Sequence, residues 1–140
     1  MSNIPATLLI VDDDVQIRSL LEALLQEQGY RTLTAGSGEQ ALATVAQQPP
    51  DLILLDATMP GIDGYQVARR LKANASTANI PIIMLSGQGE QSARLLGLEA
   101  GAEDFLCKPV ASDELWLRVR NLLRLKAFGD HRAVHTLMLE

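Results

Sequence analysis

The chain predicts an α/β domain built on a parallel sheet. Short apolar runs alternate five times with segments of helical periodicity, the runs are apolar almost throughout, and turn-forming residues separate the two kinds of segment. Strands that alternate with helices imply parallel pairing, because each crossover needs a helix. A strand that is apolar on both sides belongs in a sheet covered on both faces.

The elements follow in order. Thr7 to Val11 is an apolar run that stops at Asp12-Asp13-Asp14. From Val15 to Gln28, Ile17, Leu20, Leu21, Leu24 and Leu25 recur at spacings of three and four, an amphipathic helix with acids at its start and Gly29 just past its end. Asp14 serves as cap and acidic first turn. Tyr30 to Ala35 alternates and is β-prone. Ser37-Gly38-Glu39-Gln40 has the form of a capping box and opens a second helix, ended by Pro49-Pro50. Asp51 to Asp56 is the third strand, and Asp63 caps the helix that carries Val67, Ala68 and Leu71. After a polar loop, Ile80 to Leu85 forms the fourth strand, broken by Ser86-Gly87-Gln88-Gly89. A helix to about Ala100, a short strand from Glu103 to Cys107, and a last helix capped by Ser112 complete the series.

Composition narrows the function. The 140 residues are 47% hydrophobic with a formal net charge of −5. That supports a folded domain and argues against direct nucleic-acid binding, which favours a basic face. Few aromatics argue against base stacking. No apolar run approaches the roughly 18 residues of a membrane span, so no membrane association is expected. A lone Cys107 cannot form an internal disulfide, so a cytoplasmic setting is expected, with the thiol packed in the core.

In a parallel sheet all strand C-termini lie on one edge, where ligands of open α/β sheets bind. Here the first strand ends in Asp12-Asp13, the third in Asp56, the fourth in Ser86 and the fifth in Lys108. Clustered carboxylates stay ionised together only around a cation. An all-oxygen set favours a hard ion, and Mg²⁺ takes one or two carboxylates plus phosphate oxygens. A lysine and a hydroxyl suit those phosphate oxygens. Asp56, alone on the central strand, can be a nucleophile that accepts a phosphoryl group.

The pieces "LLIVDDD", "DLILLDATMPGIDGY", "IPIIMLSG" and "GAEDFLCKP" resemble the receiver domain of two-component response regulators over roughly residues 6 to 126. The resemblance implies a flavodoxin-like (βα)₅ fold with strand order 2-1-3-4-5. It implies that Asp56 is the phosphoacceptor, charged from a sensor histidine kinase or phosphotransfer protein. Asp13 and Asp56 would bind Mg²⁺, with Asp12 assisting through water and the Thr58 carbonyl completing the set. Lys108 would pair with the phosphoryl group, Ser86 and Phe105 would be the switch residues, and the Lys108-Pro109 bond would be cis. Thr58 and Gln88 stand where the family tunes phosphoryl lifetime; neither is charged, so a lifetime of minutes to hours is expected. Ala57 departs from the larger residue the family often carries there, and Phe105 lacks the hydroxyl of a tyrosine.

Physical logic supports such a switch. A new dianion met by Ser86 vacates space that an aromatic on the fifth strand can fill. The last helix carries Leu115, Val119, Leu122 and Leu123 as its core stripe, with Leu117 opposite and Trp116 at the edge. The resemblance makes the fourth helix, fifth strand and last helix the partner face, for an output domain, a target protein or a homodimer; the C-terminal helix is an alternative dimer contact. Residues 1–126 read as the receiver and 127–140 as a helical tail, or the start of a linker to an output domain, interrupted by Gly129. His131 and His135 lack an evident third ligand and read as surface residues.

The resemblance describes a signalling module that catalyses only its own phosphorylation and dephosphorylation. Two rivals differ in residues. A haloacid-dehalogenase-type phosphatase expects an acid where Thr58 stands. A phosphate-independent interaction module or flavin binder would need no acid cluster, and Asp12-Asp13-Asp14 would repel a flavin phosphate.

Overall fold

The computed structural model describes the backbone of residues 4–87 and 91–139, with side chains for 4–87 and 92–127. The elements are β1 (Thr7–Val11), α1 (Val15–Glu27), β2 (Arg31–Ala35), α2 (Gly38–Gln47), β3 (Leu52–Asp56), α3 (Gly64–Ala73), β4 (Ile82–Ser86), α4 (Gln91–Glu99), β5 (Asp104–Cys107) and α5 (Ser112–Leu139). The five strands form one parallel sheet in the order β2-β1-β3-β4-β5. This is the flavodoxin-like (βα)₅ arrangement expected from the sequence.

The two-residue strand period divides the core into two layers. Leu9, Val11, Ile53, Leu55, Ile82 and Met84 face α2 and α3, packing on Ala41, Val45, Val67, Ala68 and Leu71. Leu8, Ile10, Leu52, Leu54, Ile83 and Leu85 face α1 and α5, packing on Leu21, Leu25, Leu115 and Val119. Every residue of β3 and β4 is buried, which is why both read as unbroken apolar runs. Each fully buried Leu or Ile contributes roughly 1.5–3 kcal/mol. The edge strand β2 is mostly exposed or half-buried, which is why it alternates in sequence.

Local chemistry sets the helix ends. Asp14 caps α1 by accepting from the Gln16 and Ile17 N–H groups, and Gly29 follows at φ +90°. At α3, Asp63 and Gln66 form a full capping box. The box expected at α2 is shifted by one residue. Ser37 accepts from Gln40 N–H, but Gln40 Oε1 accepts from Gly36 N–H at 2.6 Å. Ser112 is the first residue of α5 rather than its cap, because Leu115 N–H already donates to Ala111 O.

Two further expectations are corrected. Cys107 is exposed rather than packed in the core. It ends the edge strand β5, where Leu106 turns toward the α1–α5 layer while Cys107 lies at the sheet margin. The last helix is not interrupted at Gly129 but runs to Leu139; one glycine inside a long helix costs only about 1 kcal/mol. The side chains of His131 and His135 lie outside the described residues.

Candidate functional site

The sheet register brings the acids together. Val11 pairs with Leu55, so the residues that follow, Asp12 and Asp56, leave neighbouring strands side by side. Asp56 pairs with Leu85, which places Ser86 one step further along β4, and Ser86 pairs with Cys107, just before Lys108. Asp12, Asp13 and Asp56 each offer an oxygen, and these oxygens lie within 4.8 Å of one another. Asp12 and Asp56 are only 1% and 4% exposed, whereas Asp13 is open to solvent.

Lys108 reaches into this cluster from the β5–α5 loop. Its Nζ lies 2.9 Å from Asp12 Oδ2 and 3.2 Å from Asp56 Oδ1. Its backbone N–H donates to Ser86 O, and the Lys108-Pro109 bond is cis. Asp12 Oδ1 accepts from Asp14 N–H at 2.9 Å, so both Asp12 oxygens are engaged. At Asp56, Oδ1 accepts from the Thr58 N–H and faces the Lys108 ammonium, and Oδ2 accepts from neither.

The electrostatics are unbalanced: three carboxylates face one ammonium. Burial, then the charge of Asp12, pushes the Asp56 carboxyl up to about 6, against the opposing pull of Lys108 and the Thr58 N–H. Burial alone would lower the pKa of Lys108, but its hydrogen bond to Asp12 and the charges of Asp56 and Asp12 leave it raised, so it stays an ammonium. A hard cation beside Asp13 and Asp56 would restore the balance, and the all-oxygen donor set fits Mg²⁺.

The loop after β3 is built on a backbone contact. A Cβ added at Gly64 would fall onto Asp56 O and within 2.9 Å of Ala57 Cα, so only glycine lets α3 start directly against the acceptor strand. Gly64 N–H also donates to Ala57 O at 3.0 Å.

The other expected site residues are more dispersed. Ser86 is buried at the end of β4, its Oγ 3.3 Å from Gly87 O. Phe105 pairs with Met84 and packs half-buried under α4, its ring beside Gly97. Thr58 is exposed beside Asp56, and Gln88 lies outside the described residues. One residue went unnoticed in the sequence: Arg18, whose Nη1 donates to Asp12 O at 2.7 Å. Its place one helical turn after Asp14 was the available signal.

Comparison with known proteins agrees with this geometry. The family described as response regulator receiver domain matches residues 8–120. The phosphate regulon transcriptional regulatory protein PhoB of Pseudomonas aeruginosa is 44% identical over 91% of this chain and 56% of its own length. Response regulator PleD of Caulobacter vibrioides is 45% identical over 89% of this chain and 28% of its own. The chain thus spans about half, or less, of the length of such curated relatives. A solved structure of a putative response regulator from Chloroflexus aurantiacus superposes with a TM-score of 0.84 at 45% identity, over 86% of this chain and 98% of that one. The chain therefore belongs to the response regulator receiver family, whose members are self-contained phosphoacceptor signalling domains.

Proposed function

We propose that this domain takes a phosphoryl group onto Asp56 from the phosphohistidine of a sensor histidine kinase or phosphotransfer protein. The observation that supports this most is the convergence of Asp12, Asp13, Asp56 and Lys108 at one sheet edge. Asp13 and Asp56 would hold Mg²⁺, with the Thr58 carbonyl, and with Asp12 acting through water because both its oxygens are already engaged. The bound Mg²⁺ would offset charge on the phosphoryl oxygens. An Asp56 carboxylate oxygen attacks phosphorus, an O–P bond forms, the donor's P–N bond breaks, and the imidazole leaves with the electron pair. Lys108, held by Asp12, pairs with the transferred group.

The new dianion then draws in Ser86, and Phe105 fills the space vacated beneath the loop. Leu95, Leu96 and Leu98 on α4 and Leu117 on α5 are exposed, which supports the α4-β5-α5 face as the surface that changes its partner. That partner is an output domain, a target protein or a second copy of the chain; α5 is the other dimer contact. Residues 1–126 act as the receiver and 127–140 as a tail or linker. Among the described residues no helix is long and apolar enough to cross a membrane; we assign the domain to the cytoplasm.

The test is intact mass after incubation with acetyl phosphate and Mg²⁺, on this protein and on Asp56→Ala. A single phosphate adduct confined to the unsubstituted protein is expected. An equal adduct on both would overturn the assignment.

A further inference from the structure

We propose that Arg18 is a positioning residue for the cation site: its guanidinium, seated over Gly36, holds the Asp12–Asp13 peptide and so sets where Asp13 points. The inference rests on the reading of Asp12, Asp13 and Asp56 as the Mg²⁺ site.

Arg18 is the fourth residue of α1. Helical side chains lean toward the N-terminus, so its guanidinium returns to the β1–α1 loop. There Nη1 donates to Asp12 O at 2.7 Å, a short charge-assisted hydrogen bond. Asp12 N–H donates to Ala35 O at 3.1 Å. The backbone of Asp12 is thus held on both sides. Its carboxylate is held separately, by Asp14 N–H and Lys108. Asp56 is fixed by the buried strand β3. Asp13 is the exposed member of the trio, and the peptide that Arg18 grips is the one that leads into it.

The seat is made by glycine. A Cβ at Gly36 would lie 2.9 Å from Arg18 Nη1 and 3.6 Å from its Cζ. The turn around Gly36 is secured independently, since Gly36 N–H donates to Gln40 Oε1. A methyl group there would displace the tip of a flexible side chain without disturbing backbone. Gly36→Ala therefore moves the guanidinium while keeping its charge, and Arg18→Met removes charge and grip together.

Charge and position predict opposite signs. A guanidinium near the site repels a dication, so loss of its charge alone would tighten Mg²⁺ binding. Loss of the grip would weaken it, as removal of outer partners of metal ligands does.

The experiment is calorimetric titration of Mg²⁺ into the full chain, unsubstituted and as Arg18→Met and Gly36→Ala. Melting in EDTA and acetyl-phosphate adduct formation at saturating Mg²⁺ are followed in parallel. The expected result is a roughly tenfold weaker Mg²⁺ affinity in Gly36→Ala and a smaller loss in Arg18→Met, where removal of the charge offsets part of the lost grip, with melting shifted by only a few degrees and the saturated adduct rate within about twofold. Mg²⁺ affinity unchanged or tighter in Gly36→Ala, with normal binding by the unsubstituted protein, would overturn the inference and leave the site intact. Failure of the unsubstituted protein to bind Mg²⁺ would remove the site itself, and the inference with it. Should Arg18→Met not fold, Gly36→Ala carries the test alone.

Discussion

Asp56→Asn should stabilise the metal-free protein. The native carboxyl is buried beside Asp12 and pushed from an ordinary 3.8 up to about 6. A shift of roughly two units corresponds to about 3 kcal/mol between the protonation states. The site opens at a rim where Asp13 is exposed, so solvent screening reduces the penalty to roughly 1–2 kcal/mol. Because the folded value lies above the unfolded one, the native state holds the proton more tightly between about pH 4 and pH 6. Stability in metal-free buffer therefore falls as pH rises through that window. The amide removes this penalty, while Lys108 keeps its 2.9 Å bridge to Asp12. The assay is urea unfolding in EDTA at several pH values. At pH 7.5 the variant should be more stable by about 1–2 kcal/mol. The gap should close toward pH 4, where the native carboxyl is itself neutral, and narrow when Mg²⁺ is added, since the cation binds the native site more tightly. A variant no more stable than the parent in EDTA at pH 7.5 would refute the electrostatic account.

Other outcomes follow from single contacts. Gly64→Ala should destabilise by more than about 2 kcal/mol in chemical denaturation, because its Cβ would collide with the Asp56–Ala57 backbone rather than with a movable side chain. Lys72→Met should cost roughly 1–3 kcal/mol, since Lys72 Nζ serves Ala78 O, Ile80 O and Glu103 together; a loss under a few tenths would show those bonds to be solvent-compensated. Trp116→Phe should cost about 1 kcal/mol through the lost bond from Nε1 to Leu24 O. With no charged side chain at Thr58, the acyl phosphate should persist for minutes to hours in Mg²⁺, and a half-life of seconds by adduct decay would contradict this.

The fold and the acid cluster were legible because their causes lie in side-chain type. β3 and β4 are buried on both faces and so carry uninterrupted apolar letters. Asp12, Asp56 and Lys108 sit at strand ends, where a parallel topology must gather them. What escaped depends on backbone geometry. Gln40 reaches Gly36 rather than Ser37, a difference of one residue that the motif cannot express. Cys107 looks like core because its neighbours are apolar, yet it ends an edge strand. Arg18 binds a carbonyl, a group every residue possesses, so no letter marks its partner. Gly64 was visible only as a motif letter, and the collision that requires it appears in three dimensions.

The most direct test of the central claim is the position of the modification. After acetyl phosphate treatment with Mg²⁺, borohydride reduction converts an aspartyl phosphate to homoserine, which peptide mass mapping locates. Conversion at position 56 alone, abolished by EDTA, is the predicted result. Conversion elsewhere, or at position 56 without any divalent cation, would contradict the account of a carboxylate cluster organised around a hard ion.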